Sequence, residues 1–130
     1  MNIENNILLA EFLEFQKTDL GWFDNEGVLS DFEQDNCFDS LYFDTDWNWL
    51  MEVVEKIESL KPIEFLSGRN WIGFDVKIYK TFNTQTNYCT IKYLKEGGDM
   101  TISNGFSKSD KIEAVYNACV EFVTWYNSKK

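Results

Sequence analysis

The sequence has no histidine, one proline and three cysteines among 130 residues. Without histidine, the chain lacks the most frequent general base, the usual triad member and a common metal ligand. Cys37, Cys89 and Cys119 cannot all pair with one another, and no C-x-x-C spacing joins two of them as a metal or redox pair. The sequence therefore favours a non-enzymatic protein of a reducing cytoplasm that holds no metal or cofactor.

Long apolar runs and nucleotide-binding loops are also missing. The first residues, MNIENNILLAEFLEF, include three glutamates and no basic residue, which is unlike a signal peptide or a membrane span. Neither G-x-x-x-x-G-K-[ST] nor G-x-G-x-x-G occurs, and Gly97-Gly98 is better explained as a turn. We therefore expect a cytoplasmic protein without a membrane partner.

The composition is that of a folded but strongly acidic chain. Hydrophobic residues make up 44% and aromatic residues 17%, which predicts one folded domain, residues 1–130, despite a formal charge of −10. Residues 1–60 contain 15 acidic residues and two lysines, whereas residues 61–130 contain seven acidic and ten basic residues. Because an acidic half repels phosphate groups, we do not expect direct nucleic acid binding.

Three segments have the spacing of amphipathic helices: Ile3 to Phe15, Phe43 to Leu60 and Asp110 to Ser128. The first is apolar on two sides, so we expect it to be wedged between other elements, or else to meet a partner chain. In the second, Thr45 is the expected N-cap. Its apolar arc consists of Trp47, Trp49, Leu50, Val53, Val54, Ile57 and Leu60. The stripe of the last helix consists of Ile112, Val115, Tyr116, Cys119, Phe122, Val123 and Tyr126.

Between the last two helices the apolar period changes to two, as in strands with one buried face. The expected strands are Trp71 to Tyr79, Tyr88 to Leu94 and Met100 to Ser103, with Ile63 to Leu66 as a candidate fourth and Asn104-Gly105 ending the last. Their short links suit antiparallel neighbours. The sequence therefore predicts an α+β fold, in which a three-stranded antiparallel meander packs with two or three helices in the order α-(acidic irregular segment)-α-β-β-β-α.

Two of the helical segments resemble a family of small proteins encoded by phages and prophages. The segments are YFDTDWNWLMEVVEKI, residues 42–57, and KIEAVYNACVEFVTWY, residues 111–126. They are similar to the helices of a phage ABA-sandwich domain found in Bacteroidetes-type mobile elements. The resemblance covers most of the chain except residues 16–41. It implies a phage or prophage origin, a bacterial host cell and a sheet packed with helices, but it transfers no functional residue.

One candidate binding surface is the acidic, aromatic segment between the first two helices. Its carboxylates are Asp19, Asp24, Glu26, Asp31, Glu33, Asp35, Asp39 and Asp44. Carboxylates spaced on a rigid surface imitate phosphates and attract basic proteins. The leading hypothesis is therefore an accessory protein that binds a host protein, such as one that handles nucleic acid. The alternative interpretation is an acidic surface that only keeps the protein soluble.

A second candidate is the outer face of the meander, where cations alternate with aromatic rings. Its residues are Arg69, Trp71, Lys77, Lys80, Tyr88 and Lys92. Aromatic stacking combined with nearby cations holds bases and nucleotides on sheets. This face predicts a protein that binds or sequesters a nucleotide, unless another helix covers the rings.

Two further carboxylate patterns have simpler explanations. Asp44 and Asp46 flank Thr45 and could serve as acid and base, but capping of the helix explains all three residues. Asp31, Glu33 and Asp35 alternate like the start of a calcium loop, but Tyr42 occupies the position where such a loop needs glutamate. A solvated acidic loop is the favoured interpretation of the second pattern.

Overall fold

The structure is a computed structural model that describes residues 3–18, 21–23, 37–38, 41–60, 71–95 and 98–128, with the side chains of 3–15, 41–60, 73–94 and 99–128. The helices are α1 (Ile3–Phe12), α2 (Trp47–Ser59) and α3 (Lys111–Ser128). The strands are β1 (Gln16–Thr18), β2 (Gly21–Phe23), β3 (Cys37–Phe38), β4 (Trp71–Thr81), β5 (Thr86–Lys95) and β6 (Gly98–Ser107). The predicted α+β fold is confirmed. The candidate strand at Ile63 to Leu66 lies outside the described residues.

Strands β4, β5 and β6 form the predicted antiparallel meander in that order. Strand β6 runs past Asn104-Gly105 to Ser107, so the predicted end at that dipeptide is wrong. Gly105 pairs with Cys89 in the middle of the ladder. A Cβ atom there would overlap the carbonyl oxygen of Ala114 and lie 2.7 Å from the backbone nitrogen of Ala118. The glycine therefore permits a close approach of α3 rather than a turn.

The segment expected to be irregular between α1 and α2 contains the short strands β1, β2 and β3, which pair antiparallel in that order. Three-residue and two-residue strands are too short to show a period of two, so the sequence pattern did not indicate them. The side chains of this small sheet lie outside the described residues.

Helices α2 and α3 pack on one face of the main sheet, which we call the inner face, and α1 packs against α3. Phe74 and Ile91 on this face are buried in a single apolar core. Phe74 contacts Phe122 of α3 edge to face, with the ring centroids 4.8 Å apart. The Ser103 hydroxyl donates a 2.9 Å hydrogen bond to the Ala118 carbonyl and so joins β6 to α3. The strand alternation is thus explained by helices on one side.

Helix α2 is capped by Asp46, whose side chain accepts a 2.8 Å hydrogen bond from the Asn48 backbone N–H. The prediction of Thr45 as the N-cap is therefore wrong by one residue, and Thr45 lies in the preceding turn. Leu50 and Ile57 are fully buried as predicted, but Trp47 is 39% exposed. Trp47 lies in the first turn at the edge of the apolar arc, where the helix meets solvent.

Helix α1 ends before Phe15 because its C-terminus closes in a Schellman motif. The N–H of Phe15 donates to the Ala10 carbonyl at 2.9 Å, and the N–H of Glu14 donates to the Glu11 carbonyl at 3.0 Å. Glu14 takes a positive φ of 67°, which glycine usually supplies. Most of the apolar residues of α1 face the core, in line with the prediction of a wedged helix, although Ile3 is exposed.

Helix α3 is the best predicted element. Asp110 accepts a 3.0 Å hydrogen bond from the Ile112 N–H at the start of the helix. The predicted apolar stripe is buried except for Tyr126, which is half-buried. Ala114 and Ala118 are also buried, because they face β6 at the close contact with Gly105.

Candidate functional site

The predicted acidic segment falls mostly on residues that the structure does not describe. Asp19, Asp24, Glu26, Asp31, Glu33, Asp35 and Asp39 lie outside the described residues. Asp44 is described and half-buried, and its carboxylate accepts a 3.3 Å hydrogen bond from the Asn6 side chain. Asp44 therefore helps to hold α1 against the segment before α2. Asp46 is the helix cap, so both carboxylates of the Asp44/Asp46 pair have structural roles.

Acidic residues are also exposed on α1 and α2, where the sequence patterns indicated no site. The two helices and the turn after α1 expose six glutamates: Glu4, Glu11, Glu14, Glu52, Glu55 and Glu58. The only lysine in the described ranges 3–15 and 41–60 is Lys56, and its ammonium lies 3.1 Å from the Glu14 carboxylate. The net charge of this helical surface is therefore strongly negative. The sequence contains a pattern that predicts this negative charge, because the glutamates lie opposite the apolar stripes of the helices.

The opposite side of the molecule, the outer face of the main sheet, carries a row of aromatic rings across all three strands. Tyr79, Tyr88 and Phe106 are paired in register on β4, β5 and β6. Tyr79 stacks on Tyr88 with ring centroids 5.3 Å apart and planes 17° apart, and Phe106 lies 6.4 Å from Tyr88. Phe106 is 64% exposed. We call these three residues the aromatic row.

The turn of the β4–β5 hairpin presents a further ring, Phe82, which is 81% exposed. The turn is held by side-chain hydrogen bonds, including one of 2.9 Å from the Gln85 amide to the Phe82 carbonyl. Gln85 takes a positive φ of 55°. No sequence pattern indicated Tyr79, Phe82 or Phe106 as surface residues. Only the pairing of three strands brings Tyr79 and Phe106 beside Tyr88.

The predicted basic character of the outer face is only partly observed. Lys77 and Lys92 lie on this face with Tyr88, but Lys80 is in register with Asn87 on the inner side. Two aspartates, Asp75 and Asp99, balance the two lysines among the described residues of the face, and Asp99 is 3.6 Å from the Lys92 ammonium. The remaining residues of this candidate are Arg69, outside the described residues, and Trp71, of which only the backbone in β4 is described.

The Lys77 ammonium lies 5.8 Å from the centroid of the Tyr79 ring, in the geometry of a cation–π contact. Lys77 has no ion pair among the described residues, whereas Lys92 is paired with Asp99. The aromatic row and the Lys77 ammonium therefore form the chemically distinctive part of the outer face, as far as its residues are described.

Two cysteine thiols lie in the core rather than on a surface. Cys89 and Cys119 are fully buried and unbonded, as predicted for Cys119. Burial raises the pKa of Cys89 to about 12. Burial, and then the neighbouring Cys89, raises the pKa of Cys119 well above its ordinary value. Thiolates are disfavoured at both positions, so these cysteines are poor nucleophiles.

Among the described residues, no group of three or more His, Cys, Asp and Glu side chains could hold a metal ion. In the same part of the chain, no helix combines the length and apolarity needed to cross a membrane. Comparisons of the chain with protein-family models, with curated proteins and with solved structures find no match.

Proposed function

We propose that the protein is a small phage-type accessory protein that acts without catalysis by binding a basic protein of a bacterial host. The observation that carries this proposal is the set of exposed glutamates on α1, the turn after it and α2, with Lys56 as the only lysine among them. These glutamates add to the acidic residues predicted as a binding surface, and they lie on helices and on the turn that closes α1. A fixed array of carboxylates raises the association rate with basic partners and imitates the spacing of phosphates.

Such a surface fits proteins with a basic groove, and proteins that handle nucleic acid have such grooves. Within the described residues, the sheet side of the molecule is closer to neutral, so the expected orientation places the helical side against the partner. The resemblance of residues 42–57 and 111–126 to phage proteins is consistent with a partner in the host, in the context of host takeover or counter-defence.

The proposal is tested by capturing bacterial proteins with the purified chain and with two variants of equal charge. One variant is Glu4→Gln/Glu55→Gln/Glu58→Gln on the helical side. Its matched control, Asp75→Asn/Asp99→Asn/Glu113→Gln, removes the same number of negative charges elsewhere. Each recovered protein is then purified and its Kd is measured at low and at physiological salt.

We expect a basic partner that binds wild type and control equally and loses about tenfold or more in affinity for the helical-side variant, since three interfacial charges are removed. The affinity should fall as salt rises. Recovery of no basic partner at either salt, or equal weakening by both variants, would contradict the proposal.

The aromatic row favours a second candidate function, the binding of a nucleotide on the outer face of the sheet. Exposed rings that stack on one another offer a platform for a planar base, and Lys77 is placed to meet a phosphate. Since Asp75 and Asp99 balance the two lysines, stacking rather than net charge would supply most of the affinity.

A thermal-shift screen against a nucleotide panel tests this candidate. A ligand at 100 times its Kd stabilises the folded state by about 2.7 kcal/mol. Binding should be lost in Phe106→Ala, whose side chain is exposed, and kept in Lys108→Gln, beyond the end of the strand. Unchanged melting curves across the panel would remove the reason to consider this function.

A further inference from the structure

The last turns of the three helices meet at a pocket of about 450 Å³ that none of the sequence patterns indicated. Glu11 and Phe12 reach it from α1 and Glu14 from the turn after that helix. Lys56 reaches it from α2, and Tyr126 from α3. The volume is within the range of small-molecule sites.

The backbone and the side chains both make this pocket favourable to positive charge. The C-terminus of a helix has about half a negative charge, and three such ends line the pocket. Glu11 and Glu14 add two carboxylates, and Glu11 has no ion pair among the described residues. An anion would meet repulsion from each of these groups.

The wall of the pocket is aromatic and fixed in place. The ring of Phe12 contacts Tyr126 edge to face at 5.9 Å and Phe122 in the same geometry at 6.4 Å. Packing from α3 therefore holds Phe12 without a contribution from any ligand. A cation over such a ring is attracted by the negative face of the ring, and more strongly when the cation is desolvated.

The pocket already holds one cation from the chain itself. The Lys56 ammonium lies 5.2 Å from the centroid of the Phe12 ring and 3.1 Å from the Glu14 carboxylate. The Lys56 side chain is 27% exposed, so solvent and a competing cation can reach it. The contacts of the Lys56 ammonium with the Phe12 ring and the Glu14 carboxylate show how the pocket binds a positively charged group.

We propose that this pocket receives an arginine side chain of the basic partner and that Lys56 is an internal competitor for the same site. This inference rests on the proposed function, because it identifies the site at which one residue of that partner binds. Arginine fits better than lysine, because its planar guanidinium stacks on an aromatic ring and pairs with carboxylates through several N–H groups. Glu11 supplies the carboxylate that Lys56 leaves unpaired.

The test is a titration of the isotope-labelled protein with a hexa-arginine peptide, followed by NMR chemical shifts. We expect the largest shifts at Phe12, Leu60 and Asn127, which line the pocket. Glu11→Gln should weaken binding by about two- to fivefold, the effect of one partly exposed charge pair. Its control, Glu55→Gln, removes an equal charge from an exposed position of α2 outside the pocket.

Replacement of Lys56 is the most specific test, because removing a competing cation should strengthen binding rather than weaken it. Replacement of Lys56 by Gln frees Glu14 and the Phe12 ring, so it should tighten hexa-arginine binding by about two- to fivefold more than Lys111→Gln does. Lys111→Gln makes the same charge change at the exposed start of α3. Melting curves establish that each variant is folded, and Glu11→Gln provides a second test at a residue that has no ion pair within the described part of the chain.

Equal effects of Lys56→Gln and Lys111→Gln, together with equal effects of Glu11→Gln and Glu55→Gln, would overturn the pocket but leave the acidic-surface proposal standing. Shifts spread evenly over α1 and α2 would do the same. Conversely, a pocket that binds hexa-arginine while no basic host protein is captured would uphold the site and overturn the proposed function.

Discussion

Tyr116 and Asn6 are 110 residues apart in the sequence, yet the Tyr116 hydroxyl donates a 2.9 Å hydrogen bond to the Asn6 side-chain oxygen in the interior. The Asn6 amide in turn donates to the Leu41 carbonyl at 3.2 Å and to Asp44 at 3.3 Å. This network joins α1, α3 and the segment before α2. It fixes the helical layer that presents the acidic surface.

The first prediction concerns this network. Tyr116→Phe should lower the free energy of unfolding by about 1–3 kcal/mol, because the buried Asn6 oxygen loses its donor. Urea denaturation measures the change. Tyr79→Phe removes a hydroxyl from an exposed ring and should have little effect. Equal stability of the two variants would show that the hydrogen bond from Tyr116 to Asn6 contributes nothing.

The contact between Gly105 and α3 gives the second prediction. Gly105→Ala should destabilise the protein by about 1–3 kcal/mol or more, because the added methyl group overlaps backbone atoms that cannot move without displacing the helix. Thr101→Ala, at an exposed position of the same strand, is the control. A Gly105→Ala variant as stable as this control would contradict the observed packing.

The third prediction compares two residues of α2. Trp47→Ala should cost about 1–2 kcal/mol, less than the loss of a fully buried tryptophan, since 39% of the residue is exposed to solvent. Leu50→Ala should cost about 2–5 kcal/mol, since Leu50 is fully buried. Thermal or urea unfolding of both variants checks the order, and a larger loss for Trp47→Ala would place that ring in the core.

The fourth prediction concerns the C-terminus of α1. Glu14→Gly should be more stable than Glu14→Ala by about 1 kcal/mol, because φ is positive there and glycine adopts that conformation without strain. Both variants lose the same contact with Lys56, so their difference isolates the backbone effect. Urea denaturation of the pair measures it, and a more stable alanine variant would refute the assignment.

The fifth prediction is a loss of stability at alkaline pH. Burial raises the folded-state pKa of Cys89 and Cys119, and burial followed by the charge of Asp44 raises that of Tyr116. Protons therefore stay bound in the folded chain while the unfolded chain releases them. The contribution of each cysteine is fully present below about pH 9, and that of Tyr116 below about pH 10. As the pH rises further, stability falls by about 1.4 kcal/mol per pH unit for each such group.

Unfolding free energies measured between neutral pH and about pH 11 test this expectation. Cys89→Ala should give a shallower decline than wild type, whatever its stability at neutral pH, because one titrating group is gone. The same slope in both proteins would show that the Cys89 thiol is not protected by burial.

Much of the architecture was predictable from local patterns. The stripe of α3 and the alternation in β4 and β5 reflect the period with which a helix or a strand returns to one side, and this period is a property of the chain alone. The predicted start of α3 at Asp110 follows from side-chain chemistry instead, because a carboxylate is a good acceptor for the free N–H groups of a first turn. The cap of α2 was misplaced by one residue, because Thr45 and Asp46 are both good capping residues and only the backbone conformation separates them.

The candidate sites depended far more on the fold. Lys80 and Lys77 are both lysines of β4, but the register places them on opposite faces. The aromatic row needs three strands in register, and the pocket at Lys56 needs the ends of three helices. None of these relations lies within the few residues over which local patterns operate.

By itself, the sequence determined the helices, the meander and the excess of negative charge in the first half of the chain, because each follows from side-chain type and spacing. Only the tertiary structure decided that Gly105 is a contact rather than a turn, that Tyr79, Tyr88 and Phe106 share an exposed face, and that Glu11, Glu14 and Lys56 meet at one pocket. The reason is that burial and proximity between distant residues are set by the packing of whole elements, which depends on all the residues of the core at once.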